Sequence, residues 1–96
     1  MTLSPKQFEE YLINKYPLYD LRIELVGQAL ELVSIAFCDG DRKMGYGRAV
    51  IQELMDYARE LKLLGIVLHS APNACGFYTK LGFTRTTGTR FIWEVA

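Results

Sequence analysis

Two apolar runs with an amphipathic run between them constrain this chain most. Ala29–Phe37, ALELVSIAF, becomes nearly all apolar toward its end, and Ile66–Ser70, IVLHS, begins β-branched. Between them Tyr46, Ala49, Val50, Leu54, Tyr57, Ala58, Leu61 and Leu64 mark one helical face, and Gln52, Glu53, Asp56, Arg59, Glu60 and Lys62 the other. Gly65 is expected to stop that helix. Parallel strands need a crossover, so the pattern predicts a βαβ unit with both strands buried.

The flanks extend that unit. Ser4-Pro5-Lys6-Gln7 carries the signs of a helix start, with a capping serine, a proline at the first position and a glutamine to close the box. Phe8, Tyr11, Leu12, Lys15 and Tyr16 then recur at helical spacing, and Pro17 ends the run. Leu21–Val26 alternates as a strand with one wet face, and Gly27-Gln28 turns it into Ala29–Phe37 as an antiparallel hairpin. Asn73–Leu81 reads as a short helix after Pro72, and a last hairpin turns at Gly88. The predicted order is α-β-β-α-β-α-β-β, an α/β chain of the α+β kind with a mixed sheet. Its 96 residues make one domain, 1–96.

Charge and cysteine content exclude several function classes. Eleven basic residues balance eleven acidic ones, which argues against nucleic acid or an acidic membrane as a partner. Cys38, Cys75 and the single His69 have no metal-ligand spacing, so no metal is expected. MTLSPKQFEE lacks the basic and apolar regions of a signal peptide, and no apolar run is long enough to span a membrane. A cytoplasmic protein with reduced thiols is the expectation.

The segment Arg42–Val50, RKMGYGRAV, carries the chemistry. A glycine turn leading into a helix offers backbone N–H groups to an anion, because the first turn has no intrahelical acceptors for them. Arg42, Lys43 and Arg48 add positive charge, so the expected ligand carries phosphate. Gly40 and Gly45 have Walker-loop spacing, but Tyr46 and Gly47 replace its Lys and Ser/Thr. Val50 stands where a dinucleotide loop would have its third glycine. Both nucleotide-loop classes are therefore rejected.

Arg42-x-x-Gly45-x-Gly47 after a buried strand resembles the acyl-CoA pyrophosphate loop of the GNAT family, the Gcn5-related N-acetyltransferases. Ala74–Phe83, ACGFYTKLGF, is similar to that family's later helix-strand block. The resemblance runs from about Leu21 onward. It implies that Arg42, Lys43, Met44, Gly45, Tyr46 and Gly47, with Arg48, hold the pyrophosphate of acetyl-CoA. It implies that Ile35, Ala36 and Phe37 offer unpaired backbone groups to the pantetheine arm, where the central strand and the next one splay apart. Tyr78 matches the tyrosine that protonates the departing thiolate.

Departures from the family qualify the site. The family's usual Asn position falls on Ala71, and Asn73, two residues later, is the substitute candidate for cofactor contact. One helix precedes the hairpin where the family has a strand and two helices, so the chain reads as a short member. Glu31 is the candidate general base, with Glu24, Asp39, Asp41 and His69 as other titratable groups nearby. A buried, backbone-bonded His69 is the plainer expectation. The implied activity is direct acetyl transfer from acetyl-CoA to a primary amine of a small molecule or protein. The alternative is a catalytically inactive CoA-binding module that serves as a sensor or interaction partner. Tyr16, Leu18 and Tyr19 lie close together in sequence and suggest a homodimer.

Overall fold

The computed structural model describes residues 2–37 and 45–95. Its elements are α1 (Pro5–Lys15), β1 (Leu18–Val26), β2 (Ala29–Phe37), α2 (Tyr46–Glu60), β3 (Gly65–His69), a 3₁₀ turn (Pro72–Ala74), α3 (Cys75–Lys80), β4 (Thr84–Arg85) and β5 (Arg90–Glu94). The strands form one mixed sheet in the order β1-β2-β3-β5-β4. Among the described strands only β2 and β3 run parallel, and α2 lies on the crossover between them.

The start of α1 follows the sequence cues. The Ser4 hydroxyl accepts from the Gln7 N–H at 3.3 Å, and the Gln7 side-chain oxygen accepts from the Ser4 N–H at 2.9 Å. An isolated helix of this length is marginal in water. Here Phe8 and Leu12 are buried against the rest of the core, and the Phe8 ring stacks on Tyr57 of α2 at 4.0 Å. Glu53 of α2 ties the same two helices together. It accepts hydrogen bonds from Tyr11 and Tyr16 and pairs with Lys15 at 3.1 Å.

Gly65 does not stop α2. The helix ends in a Schellman turn: Leu63 N–H donates to Ala58 O, Lys62 N–H donates to Arg59 O, and Lys62 takes the left-handed position with φ 59°. Gly65 is instead the first residue of β3, where a Cβ would overlap the carbonyl oxygen of Trp93 on β5. Its missing side chain lets two strands approach, which is a tertiary requirement the local pattern does not display. Leu64, expected on the buried face, is exposed for the same reason, since the helix has already ended.

One irregularity sets the shape of β2. Arg22 pairs with Ser34 and Ile23 with Leu32, which leaves Val33 as an extra residue, a β-bulge. Alternation restarts after it. Leu30 and Leu32 point into the core before the bulge, and Ile35 and Phe37 pack against the core after it. These side chains meet Val50, Ile51 and Leu54 of α2, together with Ile66, Leu68 and Phe91 from the neighbouring strands. Arg22, Glu24, Glu31 and Val33 are left half-buried or exposed on the opposite face.

The expected cluster of Tyr16, Leu18 and Tyr19 does not assemble on the surface. Leu18 is buried, Tyr16 is half-buried at Glu53, and only Tyr19 projects into solvent. Cys75 is a free thiol, and Cys38 lies outside the described residues. Among the described residues no helix is long and apolar enough to cross a membrane, and no cluster of side chains could hold a metal.

Candidate active site

Pairing between β2 and β3 covers Ala29–Leu32 and Gly65–Leu68 and then stops. The halt coincides with the bulge at Val33, which bends β2 away from its neighbour. From that point Ser34–Phe37 keep their partners on β1 but have none on β3. The backbone groups that would have bonded β3 therefore line an opening. A cleft of about 530 Å³ fills it. Ser34, Ile35 and Phe37 form one wall, Leu68 and His69 the other, with Asn73, Phe77 and Tyr78 at the α3 end and Gly47 at the start of α2.

The helix start facing this cleft has no cap of its own. Gly45 holds the N-cap position at φ 75°, and among the described residues no side chain caps the first turn. That left-handed backbone needs glycine, because a Cβ would be strained there whatever the space. The free N–H groups and the helix dipole favour an anion at this end. Gly47 is close-packed: a Cβ there would sit 3.2 Å from the Phe77 ring and 3.7 Å from Phe37. Its glycine thus admits aromatic neighbours as well as any ligand, a role not anticipated from the loop pattern.

Tyr78 is buried, 6% exposed, with its ring against Phe77, Phe83 and Phe91. Burial pushes its hydroxyl above the ordinary phenol range, so it is a protonated phenol at neutral pH. Among the described residues no buried side-chain polar atom is left unsatisfied.

The remaining candidates divide. Ile35, Phe37, Gly47, Asn73 and Tyr78 are brought together around the cleft. Ala36 lies in the same strand, yet its side chain is not part of the lining. Tyr46 turns its ring toward Tyr16, 6.1 Å between centroids, so only its backbone is at the helix start. Arg48 is exposed on the first turn. Arg42, Lys43 and Met44, with Asp39 and Asp41, lie outside the described residues. Glu31 is on the open face of the sheet, directly across from Glu24, and does not line the cleft. His69 does line it and is exposed, contrary to the expectation of a buried histidine. Phe77 and Ser34 were not singled out from the sequence. Phe77 stands inside the FYTKLGF block, and its neighbour Tyr78 is the one with recognisable chemistry.

The sequence and the fold have counterparts among known proteins. The sequence pattern of the Acetyltransferase (GNAT) family matches residues 12–83. A candidate acetyltransferase of Bacillus subtilis (strain 168) is 32% identical over 78 residues, 81% of this chain and 52% of that protein. The chain thus spans about half the length of the curated relatives it matches. The structure of the PaiA N-acetyltransferase from Thermoplasma acidophilum, in complex with coenzyme A, superposes with a TM-score of 0.63 at 19% identity, covering 75% of this chain and 48% of that one. The ribosomal-protein-S18-alanine N-acetyltransferase from Escherichia coli gives 0.63 at 22% identity, covering 75% and 55%. With the family's sequence pattern over residues 12–83 and the fold these structures share, the chain belongs to the GNAT family of acetyltransferases.

Proposed function

We propose that the chain binds acetyl-CoA in the cleft between β2 and β3 and transfers the acetyl group to a primary amine. The observation that carries this reading is the opening past Leu32 and Leu68, which faces the uncapped start of α2 and has Tyr78 in its wall. The α2 N-terminus, Arg48 and the Arg42–Met44 segment hold the pyrophosphate. Ser34–Phe37 bond the pantetheine arm through their backbone, as an added strand would.

In the reaction the neutral amine attacks the thioester carbonyl carbon and a C–N bond forms. Backbone N–H groups of the unpaired stretch steady the carbonyl oxygen as it gains charge. The C–S bond breaks, and Tyr78 gives its proton to the leaving thiolate. The proton lost by the amine goes to Glu31 through water, or to His69, which lines the cleft. Comparing Glu31→Gln with His69→Gln on one accepted amine separates the two routes, because only the true acceptor shifts the acidic limb of the rate profile. The acceptor is a small molecule or a protein amine. That the S18-alanine enzyme is named for an alanine of a ribosomal protein supports a protein acceptor.

Titration calorimetry with acetyl-CoA, followed by thiol release with a library of amines, tests the proposal. One equivalent bound per chain and thiol released with some amine are expected. Absence of binding overturns it. Binding without turnover on any amine supports the second reading, an inactive CoA-binding module, which the absence of Glu31 from the cleft lining favours.

A further inference from the structure

β1 closes one end of the sheet, and among the described residues no strand lies beside its outer edge. That edge is long, nine residues, and it carries exposed Leu25 and Val26. Long apolar edges attract other strands unless something covers them. Here the cover is one side chain: the Ile23 N–H, pointing out of the sheet, donates to Glu9 Oε2 at 2.8 Å. A groove of about 460 Å³ runs along the strand there, bordered by Pro5, Lys6 and Glu9 of α1 and by Arg22, Glu24 and Leu25 of β1.

Charge on the open face is unbalanced in a specific way. Glu24 stands directly across from Glu31 of β2. Like charges in that position destabilise a sheet. Arg22, on the same face of β1, has no ion pair among the described residues. One carboxylate pair lacks a cation, and two residues away a cation lacks a carboxylate.

We propose that β1 pairs with β1 of a second copy of this chain, antiparallel and centred on Ile23, to give a homodimer with a continuous sheet. Centring on Ile23 puts Arg22 opposite Glu24 of the second copy, and two-fold symmetry repeats the pair. It also puts Leu21 opposite Leu25 on the helix-covered face. Moving the centre to Arg22 would set Asp20 against Glu24, and moving it to Glu24 would set two glutamates face to face. Centring on Leu21 would set Arg22 against Asp20 but leave Glu24 facing Leu18, so only the Ile23 register gives Glu24, already opposed by Glu31, a cation. Residues flanking a hydrogen-bonded central pair are non-hydrogen-bonded pairs, whose side chains approach most closely. The Ile23 N–H exchanges its bond to Glu9 for the Ile23 carbonyl of the second copy. This inference is independent of the acetyl-transfer reading.

Sedimentation equilibrium from low micromolar to several hundred micromolar protein tests it. The parent chain is expected to dimerise. Arg22→Glu and Glu24→Arg should each weaken the dimer by about tenfold or more, since each sets like charges across the seam. The double exchange Arg22→Glu with Glu24→Arg should restore it. Glu9→Ala should tighten it by removing the competitor for Ile23. All these side chains are exposed or half-buried, and circular dichroism checks that each variant is folded. A parent chain that is monomeric at every concentration overturns the proposal. So does a double exchange no tighter than either single.

Discussion

At the residue scale, Tyr78 carries the sharpest expectation. Tyr78→Phe keeps the ring that packs on Phe83 and Phe91 and removes only the proton. Acetyl-CoA affinity should change little, while kcat should fall by roughly 10²–10³, the range for losing a positioned acid. Equal kcat for both proteins at saturating substrate would take Tyr78 out of the mechanism. Gly65 gives a different test. Gly65→Ala forces β3 and β5 apart at Trp93 and should cost about 1–3 kcal/mol or more in denaturant unfolding. A helix-stopping glycine would instead tolerate alanine with a smaller loss, so the unfolding midpoint distinguishes the two roles. Tyr78 was legible in the sequence because its neighbours form a recognisable block. Gly65 was misread, because a glycine after an amphipathic run resembles a stop, and its true constraint comes from a strand nearly thirty residues further on.

At the scale of elements, local chemistry was the most readable part. The capping box of α1, the two-residue turn after β1 and the extent of β2 all follow from short stretches of sequence. The Val33 bulge was not readable, because nothing in ALELVSIAF distinguishes an extra residue from an ordinary strand position. The docking of α1 on α2 depends on Glu53. Burial works against its ionisation, but hydrogen bonds from Tyr16, Lys15 and Tyr11 outweigh it and hold the carboxyl below the usual glutamate range. A lowered folded-state pKa means that the unfolded chain binds the proton more readily. The stabilisation is therefore present above the ordinary value of about 4.3 and is lost as pH falls through the folded-state value. Glu53→Ala should cost about 1–2 kcal/mol at neutral pH, allowing for its partial exposure. The gap between parent and variant should close in acid. A gap that persists unchanged well below pH 4 would exclude this origin.

At the scale of the whole molecule, the sequence determines the order of elements and the likeness to a family, and the structure adds how they are joined. The cleft is a discontinuity in pairing more than an assembly of special side chains. Most of its wall is apolar, which explains why the glycine pattern pointed to the turn and the family resemblance to Tyr78, while Ser34 and Phe77 were passed over. Glu31 shows the converse. A carboxylate on the central strand reads as a base from sequence, but strand parity before the bulge turns it to the open face. Ligand-linked stability follows from the cleft. Acetyl-CoA at about one hundred times its Kd should add about 2.7 kcal/mol to unfolding, visible as a rise in melting temperature.

The bulge also has a meaning in terms of heredity. Removing the single codon for Val33 would leave Leu32, Ser34, Ile35, Ala36 and Phe37 alternating without a break, each still facing the side it faces now. Such a deletion is usually ruinous in a strand, because every later side chain changes face. Here it should be tolerated, and β2 should continue alongside β3 where the two now part. The product should unfold no more easily than the parent and should show no heat on titration with acetyl-CoA. A deletant that still bound the cofactor would mean that the gap is held open by something other than this residue. In a lineage of such chains, binding could then be lost by one in-frame deletion, without any loss of the fold.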